Sequence, residues 1–152
     1  MPVPSVTSAL VPWISPDCLG INRLPGRATL WSYPSAAEAA ADRGRRAIAL
    51  DGDWRFRLVQ RVADTPEDFP AESLDDSAWA TAAVPGNWTM QGFQNPHYTN
   101  VRMPFAPCVP PVVPEHNPTG LYRTTFTVPD DWLSAARRIV LQQLAGAGVQ
   151  LV

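Results

Sequence analysis

The sequence contains no lysine, so all 12 of its basic side chains are arginines. Together with 14 acidic residues they give a formal net charge of -2, and no basic run is present that could follow a phosphate backbone. We therefore expect no nucleic acid partner. No stretch is apolar over a membrane-spanning length, and the N-terminus lacks a basic start followed by a long apolar run. These absences predict no membrane association and a cytoplasmic location.

Cysteine and histidine are also scarce. Cys18 and Cys108 fit no metal-ligand spacing and are too few for the disulfide framework of a small secreted domain, so two ordinary thiols are favoured over a bridge. His97 and His116 lie in proline-rich segments without a third ligand at a useful spacing, which argues against a zinc site. We predict no metal-binding residue in this chain.

Proline and tryptophan, in contrast, are abundant. The 152 residues include 17 prolines and six tryptophans, a composition that favours a single loop-rich β domain. Prolines are frequent in residues 1–46, which we interpret as an extended arm with one short helix near 35–43. The helix is predicted because Ser35 and Glu38 form a capping box ahead of several alanines.

Residues 47–152 carry the alternation of apolar and polar side chains that is typical of half-buried strands. Four segments have this pattern and are predicted strands: Ala47–Val59, Gly120–Val128, Arg137–Leu144 and Gly148–Val152. Residues 63–83 are rich in acids and predict a solvated loop or a short turn of helix. The proline-rich residues 84–118 predict a long irregular region without helix. The chain is thus expected to be an all-β sandwich that is truncated within its last strand.

One long run of residues resembles a known family. Val84-Pro-Gly-Asn-Trp-Thr-Met-Gln-Gly-Phe-Gln-Asn-Pro-His-Tyr-Thr-Asn-Val101 is similar to the N-terminal domain of the large β-galactosidases of glycoside hydrolase family 2. Four further runs follow the order of that family: Ile21-Asn-Arg-Leu-Pro25, Leu50-Asp-Gly-Asp-Trp-Arg-Phe56, Pro110-Pro-Val-Val-Pro-Glu-His-Asn-Pro-Thr-Gly-Leu-Tyr-Arg123 and Phe126-Thr-Val-Pro-Asp-Asp-Trp132.

The resemblance implies a galactose-binding-like jelly-roll sandwich over residues 47–152. In the full-length enzyme, immunoglobulin-like domains and a (β/α)8 catalytic barrel would follow it, and the whole would form a homo-oligomer. The implied reaction is the retaining hydrolysis of terminal β-D-galactosides, which uses two carboxyl groups. Both glutamates are expected on the barrel, so this chain would lack catalytic residues. The magnesium and sodium expected for the full-length enzyme would likewise be bound outside this chain.

The resemblance also implies a substrate-binding role for Asn100, with Val101 beside it. An amide can donate to and accept from sugar hydroxyl groups without the desolvation penalty of a charge. The alternative is that Asn100 only forms hydrogen bonds within its own loop. The aromatic residues Trp88, Phe93 and Tyr98 could stack on a sugar, but we favour core packing for them.

Three pairs of aspartates that are close in sequence could be mistaken for a glycosidase site, but each belongs to a turn, a solvated loop or a strand end. They are Asp51 and Asp53, Asp75 and Asp76, and Asp130 and Asp131. The preferred hypothesis is therefore a β-galactosidase fragment that supplies part of the substrate pocket and of the subunit interface. The alternatives are a stand-alone carbohydrate-binding module and an interaction fragment that complements a separately made remainder.

Overall fold

The computed structural model describes residues 15, 17, 18, 20, 23–26, 28, 31–96, 100, 109, 112, 114–133, 139–144 and 148–151. Its contacts divide the chain into two units. The first unit comprises Met1–Ala28 and His97–Asn117, and the second comprises Thr29–Pro96 and Pro118–Val152.

The described residues of the first unit form no helix or strand. Two turns in it are closed by backbone hydrogen bonds. The amide of Cys18 donates to the carbonyl of Ser15 at 3.1 Å, and the amide of Val112 donates to that of Val109 at 3.0 Å. Cys18 is half-buried with a free thiol, whereas Cys108 lies outside the described residues.

The second unit contains the regular structure of the described chain, which is mainly antiparallel β. One sheet has the strand order β1-β6-β5 and the other has the order β3-β2-β4. The strands are β1 (Ile48–Ala49), β2 (Gly52–Val59), β3 (Ala80–Val84), β4 (Thr119–Arg123), β5 (Leu141–Leu144) and β6 (Gly148–Leu151). The short helices are α1 (Ala36–Ala40) and the 3-10 segments Val62–Asp64, Trp88–Gln91 and Asp130–Trp132. The prediction of an all-β class is confirmed at this level.

Helix α1 begins after Ser35, inside the stretch where the capping box predicted a helix. The amide of Glu38 donates to the Ser35 hydroxyl at 3.3 Å, and that hydroxyl donates to the Glu38 carboxylate at 3.0 Å. Alanine favours helix, but five residues make little more than one turn and bury no side chain. The helix therefore depends on its cap.

Strand β2 is the centre of its sheet. Phe56 lies opposite Ala80 of β3 and Tyr122 of β4, and it is only 1% exposed. Side chains alternate between the two faces of a strand, so Asp53, Arg55 and Arg57 share the face opposite Phe56. The remaining buried side chains of the described core are Leu50, Val59, Ala82 and Leu121.

Three sequence predictions differ from the structure. Ala80–Val84 was assigned to a loop but forms β3, because pairing with β2 outweighs the weak strand propensity of its alanines. The strand predicted over Gly120–Val128 ends at Arg123, since no strand among the described residues pairs with the positions beyond it. The region after Val84 was predicted to lack helix, yet a 3-10 turn forms at Trp88–Gln91, where an asparagine caps its start.

Candidate functional site

The predicted substrate-binding residue Asn100 is an exposed residue at a turn. Val101, the second predicted site residue, lies outside the described residues, as do His97 and Tyr98. The functional role of Asn100 and Val101 thus stays a prediction. The clearest geometry in the described chain belongs to the segments around β2, and it is built from different side chains.

The start of the family-like run is held by a glutamine clamp. The amide of Ala83 donates to Gln91 Oε1 at 2.7 Å, and Gln91 Nε2 donates back to the Ala83 carbonyl at 3.0 Å. Between them, Val84-Pro85 is a cis peptide bond. A Cβ at Gly86 would lie 2.6 Å from Gln91 Nε2 and 2.7 Å from the Ala83 carbonyl oxygen, so only glycine fits there. The turn is therefore specified by the side chain of Gln91 and the absence of one at Gly86.

The 3-10 segment inside this clamp has defined ends. Asn87 Oδ1 accepts from the Thr89 amide at 3.0 Å and from its hydroxyl at 2.8 Å, which satisfies free donors at the segment's start. Gly92 ends it with a left-handed backbone, φ 87°. Met90 points outward and is 73% exposed.

An aromatic cluster centred on Phe56 anchors the same segment to the sheet. Its ring centroid lies 4.3 Å from that of Phe93, 4.8 Å from Tyr122 and 6.0 Å from Trp88. The preference for core packing over sugar stacking is thus supported for Trp88 and Phe93. A Cβ at Gly120 would come within 2.8 Å of Phe56 Cε2, so glycine is needed there to admit the ring.

On the other face of β2, Arg123 fixes the acid-rich loop to β4. Its Nε donates to Asp76 Oδ2 at 2.8 Å, its Nη2 donates to the Ala71 carbonyl at 3.0 Å, and its Nη1 donates to the Phe69 carbonyl. Side chains of Arg123 and Asp76 are 17% and 27% exposed, so the pair is largely shielded from water. Sequence reasoning missed this contact, because Asp76 and Arg123 are 47 positions apart and strand alternation does not identify a partner.

The same face carries a polar cleft of about 430 Å³. Two carboxylates and two guanidinium groups line it, so its net charge is zero. Its lining residues are Asp53, Trp54, Arg55, Asp76, Thr81, Arg123, Thr124 and Thr125. The indole Nε1 of Trp54 donates to the Leu50 carbonyl at 2.7 Å, so this donor already has a partner. The groups of this cleft that a ligand could contact are thus mainly charged side chains and threonine hydroxyls.

Local hydrogen bonds shift several pKa values. The pKa of the Asp64 carboxyl is lowered, chiefly because the Arg61 guanidinium donates to it at 2.6 Å. The pKa of Asp75 is lowered because the Ser77 amide donates to its carboxylate at 3.0 Å. Burial raises the pKa of the Tyr122 hydroxyl. Each of these shifts thus has a local structural cause.

The carboxylate pairs set aside in the sequence remain unlike a glycosidase site. Asp76 is bound to Arg123 and Asp75 to the Ser77 amide, while Asp130 and Asp131 are exposed in a 3-10 segment. Across the part of the chain that the structure describes, no three His, Cys, Asp or Glu side chains are grouped as metal ligands would be. Within that part, too, no helix has both the length and the apolar character needed to cross a bilayer.

Antiparallel strands around an aromatic core define an all-β domain, which carries a polar cleft on one face of β2. The chain belongs to the sugar binding domain of the glycosyl hydrolases family 2, whose family model matches residues 48–148.

Beta-galactosidases are among the relatives of this chain. It is 42% identical over 130 residues to the beta-galactosidase of Pectobacterium atrosepticum, an alignment that covers 85% of this chain and 12% of that protein. It is 39% identical over 135 residues to the Vibrio cholerae beta-galactosidase, covering 89% of this chain and 13% of that protein. The Arthrobacter sp. enzyme is 45% identical over 103 residues, 58% of this chain and 10% of its own length. The chain therefore spans about an eighth of the first two relatives.

Proposed function

We propose that this chain is the N-terminal sugar-binding part of a β-galactosidase that hydrolyses terminal β-D-galactosides with retention. The observation that carries the proposal is the similarity to beta-galactosidases over 85–89% of the chain at 39–42% identity. The matched family is itself described as a sugar binding domain. The catalytic glutamates belong to the remaining length of the enzyme, so the chain alone is inactive.

The finer fold assignment is part of the same proposal. Residues 1–46 form an arm, and residues 47–152 form a partial jelly roll that further strands complete. The larger enzyme is a cytoplasmic homo-oligomer that contains immunoglobulin-like domains and a catalytic barrel. Magnesium and sodium act in that larger protein, and we assign no residue of this chain to them.

In this proposal the substrate-binding residues are Asn100 and the adjacent Val101. Asn100 is exposed at a turn. An amide can donate to one ring hydroxyl and accept from another, which suits a galactosyl group.

A chimera tests the proposal. This chain replaces the matching 130-residue segment of the Pectobacterium atrosepticum enzyme, and hydrolysis of lactose and of a chromogenic β-galactoside is measured. We expect activity in the chimera and none in the isolated chain. Asn100→Ala in the chimera should lower kcat/KM at least tenfold, in line with the roughly 1.4 kcal/mol lost with one or two hydrogen bonds.

The matched control is Asn95→Ala, which removes an exposed amide five residues upstream and should leave kcat/KM unchanged. An equal effect of both substitutions would contradict the role of Asn100. Hydrolysis by the isolated chain would refute the placement of the catalytic groups elsewhere.

A further inference from the structure

The cleft on β2 contains two charged side chains, Asp53 and Arg55, for which no hydrogen bond or ion pair is found among the described residues. We propose that this cleft binds a neutral polyhydroxylated ligand, a pyranoside whose neighbouring hydroxyl groups contact Arg55 and Asp53. The lining of this cleft does not include Asn100. The proposal does not rest on hydrolysis by the larger enzyme.

The placement of the two charges follows from the strand. Asp53 and Arg55 are two residues apart on β2, so their side chains leave the same face roughly 7 Å apart. Both are exposed, and within the described part of the chain no hydrogen bond or ion pair joins either side chain to a protein group. A ligand that accepts from the guanidinium and donates to the carboxylate would use both groups at once. Adjacent hydroxyl groups on a sugar ring do this.

The neighbouring charges are already satisfied. Each terminal nitrogen of Arg123 and its Nε donates to a protein oxygen, and Asp76 accepts from that Nε. A ligand entering the cleft therefore meets Asp53 and Arg55 as its strongest available partners. Arg55 lies opposite Thr81 on one side and opposite Arg123 on the other, so a threonine hydroxyl stands next to it across the sheet.

The charge balance selects the ligand class. Two carboxylates and two guanidinium groups cancel, so an anion gains from Arg55 but is repelled by Asp53, and a cation meets the opposite combination. A neutral ligand with many hydroxyl groups meets no such repulsion. The hydroxyls of Thr81, Thr124 and Thr125 both donate and accept, which also matches sugar hydroxyls. A volume of about 430 Å³ lies within the usual range of small-molecule sites.

The test is a titration of the ¹⁵N-labelled 152-residue chain with methyl β-D-galactopyranoside, followed by amide chemical shifts. We expect saturable shifts at Thr81, Thr124 and Thr125. Arg55→Met should weaken binding roughly tenfold, because a charge-assisted hydrogen bond is removed while the aliphatic part of the side chain is kept. The matched control is Arg57→Met. The Arg57 guanidinium lies 5.9 Å from the centre of the Trp79 ring and does not line the cleft, so this variant should bind the sugar normally.

Several results would overturn the proposal. They are the absence of saturable shifts up to roughly 0.1 M sugar, equal weakening by the two arginine substitutions, and tighter binding of acetate or phosphate than of the sugar. Sugar binding that persists in Arg55→Met but is lost in Asn100→Ala would assign the ligand to Asn100 instead. Both arginines are exposed, so we expect the variants to fold, and unchanged shifts of core amides check this.

Discussion

Replacing Arg123 with methionine should destabilise the second unit measurably. The substitution keeps most of the aliphatic length but removes three hydrogen bonds, those to Asp76, Phe69 and Ala71. A hydrogen bond to a charged group contributes about 1.5–3 kcal/mol, but the three values do not add, because the freed oxygens regain some water. With the two side chains 17% and 27% exposed, we expect a loss of about 2–4 kcal/mol in the free energy of unfolding.

Urea denaturation followed by tryptophan fluorescence measures this loss, with Arg61→Met as the control. Arg61 also pairs with an aspartate, Asp64, at 2.6 Å, but those side chains are 48% and 33% exposed. A solvated pair of this kind contributes about 0–1 kcal/mol. Both substitutions replace an arginine that pairs with an aspartate at a similar distance. We expect the larger loss for Arg123→Met because its pair is more shielded and because two carbonyl contacts are lost as well.

The reasoning is refuted if Arg123→Met costs no more than Arg61→Met with the urea dependence unchanged. Asp76→Asn gives a second check, since it keeps the shape of the partner and removes its charge. It should cost less than Arg123→Met, because the two carbonyl contacts of the guanidinium remain. A larger cost for Asp76→Asn would mean that the carboxylate has a role beyond Arg123.

Three further results are expected. Gly86→Ala should lower the free energy of unfolding by about 1–3 kcal/mol, because the new Cβ meets the fixed Ala83 carbonyl, and urea denaturation measures it. Gly120→Ala should lower the free energy of unfolding by a similar amount, because the new Cβ crowds the Phe56 ring. If this clash is the cause, Gly120→Ala should cost less in a Phe56→Leu background than in the original protein. The pKa of Asp64 is lowered from its ordinary value of 3.8, so the ionised carboxylate stabilises the folded state above pH 3.8, and this stability is lost as the pH falls through the folded pKa. An NMR titration of Asp64 should show a midpoint below 3.8, and this midpoint should rise in Arg61→Met.

The sequence was most informative where a pattern is local. The alternation around Phe56 predicted β2, and Ser35 with Glu38 predicted the start of α1. It was least informative where a contact joins distant residues. The hydrogen-bonded ion pair of Arg123 and Asp76 joins residues 47 positions apart. Strand β3 is mostly alanine and lacks large apolar side chains that alternate with polar ones. Neither feature could therefore be predicted from neighbouring residues.

The candidate site shows the same division. The resemblance singled out Asn100 from a motif, and nothing in the described geometry decides its role. The cleft, in contrast, arises because β2 and β4 pair Arg55 with Arg123, and this register is not visible in the sequence. Asp53 was considered only as half of a carboxylate pair with Asp51, whereas strand alternation gives it Arg55 as the neighbour on its face.

The clamp made by Gln91 also bears on self-association. Among the described strands, β3 lies at an edge of its sheet. An uncovered strand edge can recruit a strand from another molecule, which is a common route to aggregation. The amide of Gln91 occupies the Ala83 amide and carbonyl as an incoming strand would, so another chain would first have to displace it. The Gln91 side chain thereby blocks this part of the sheet edge. Removing that side chain should make the protein aggregate sooner at high protein concentration.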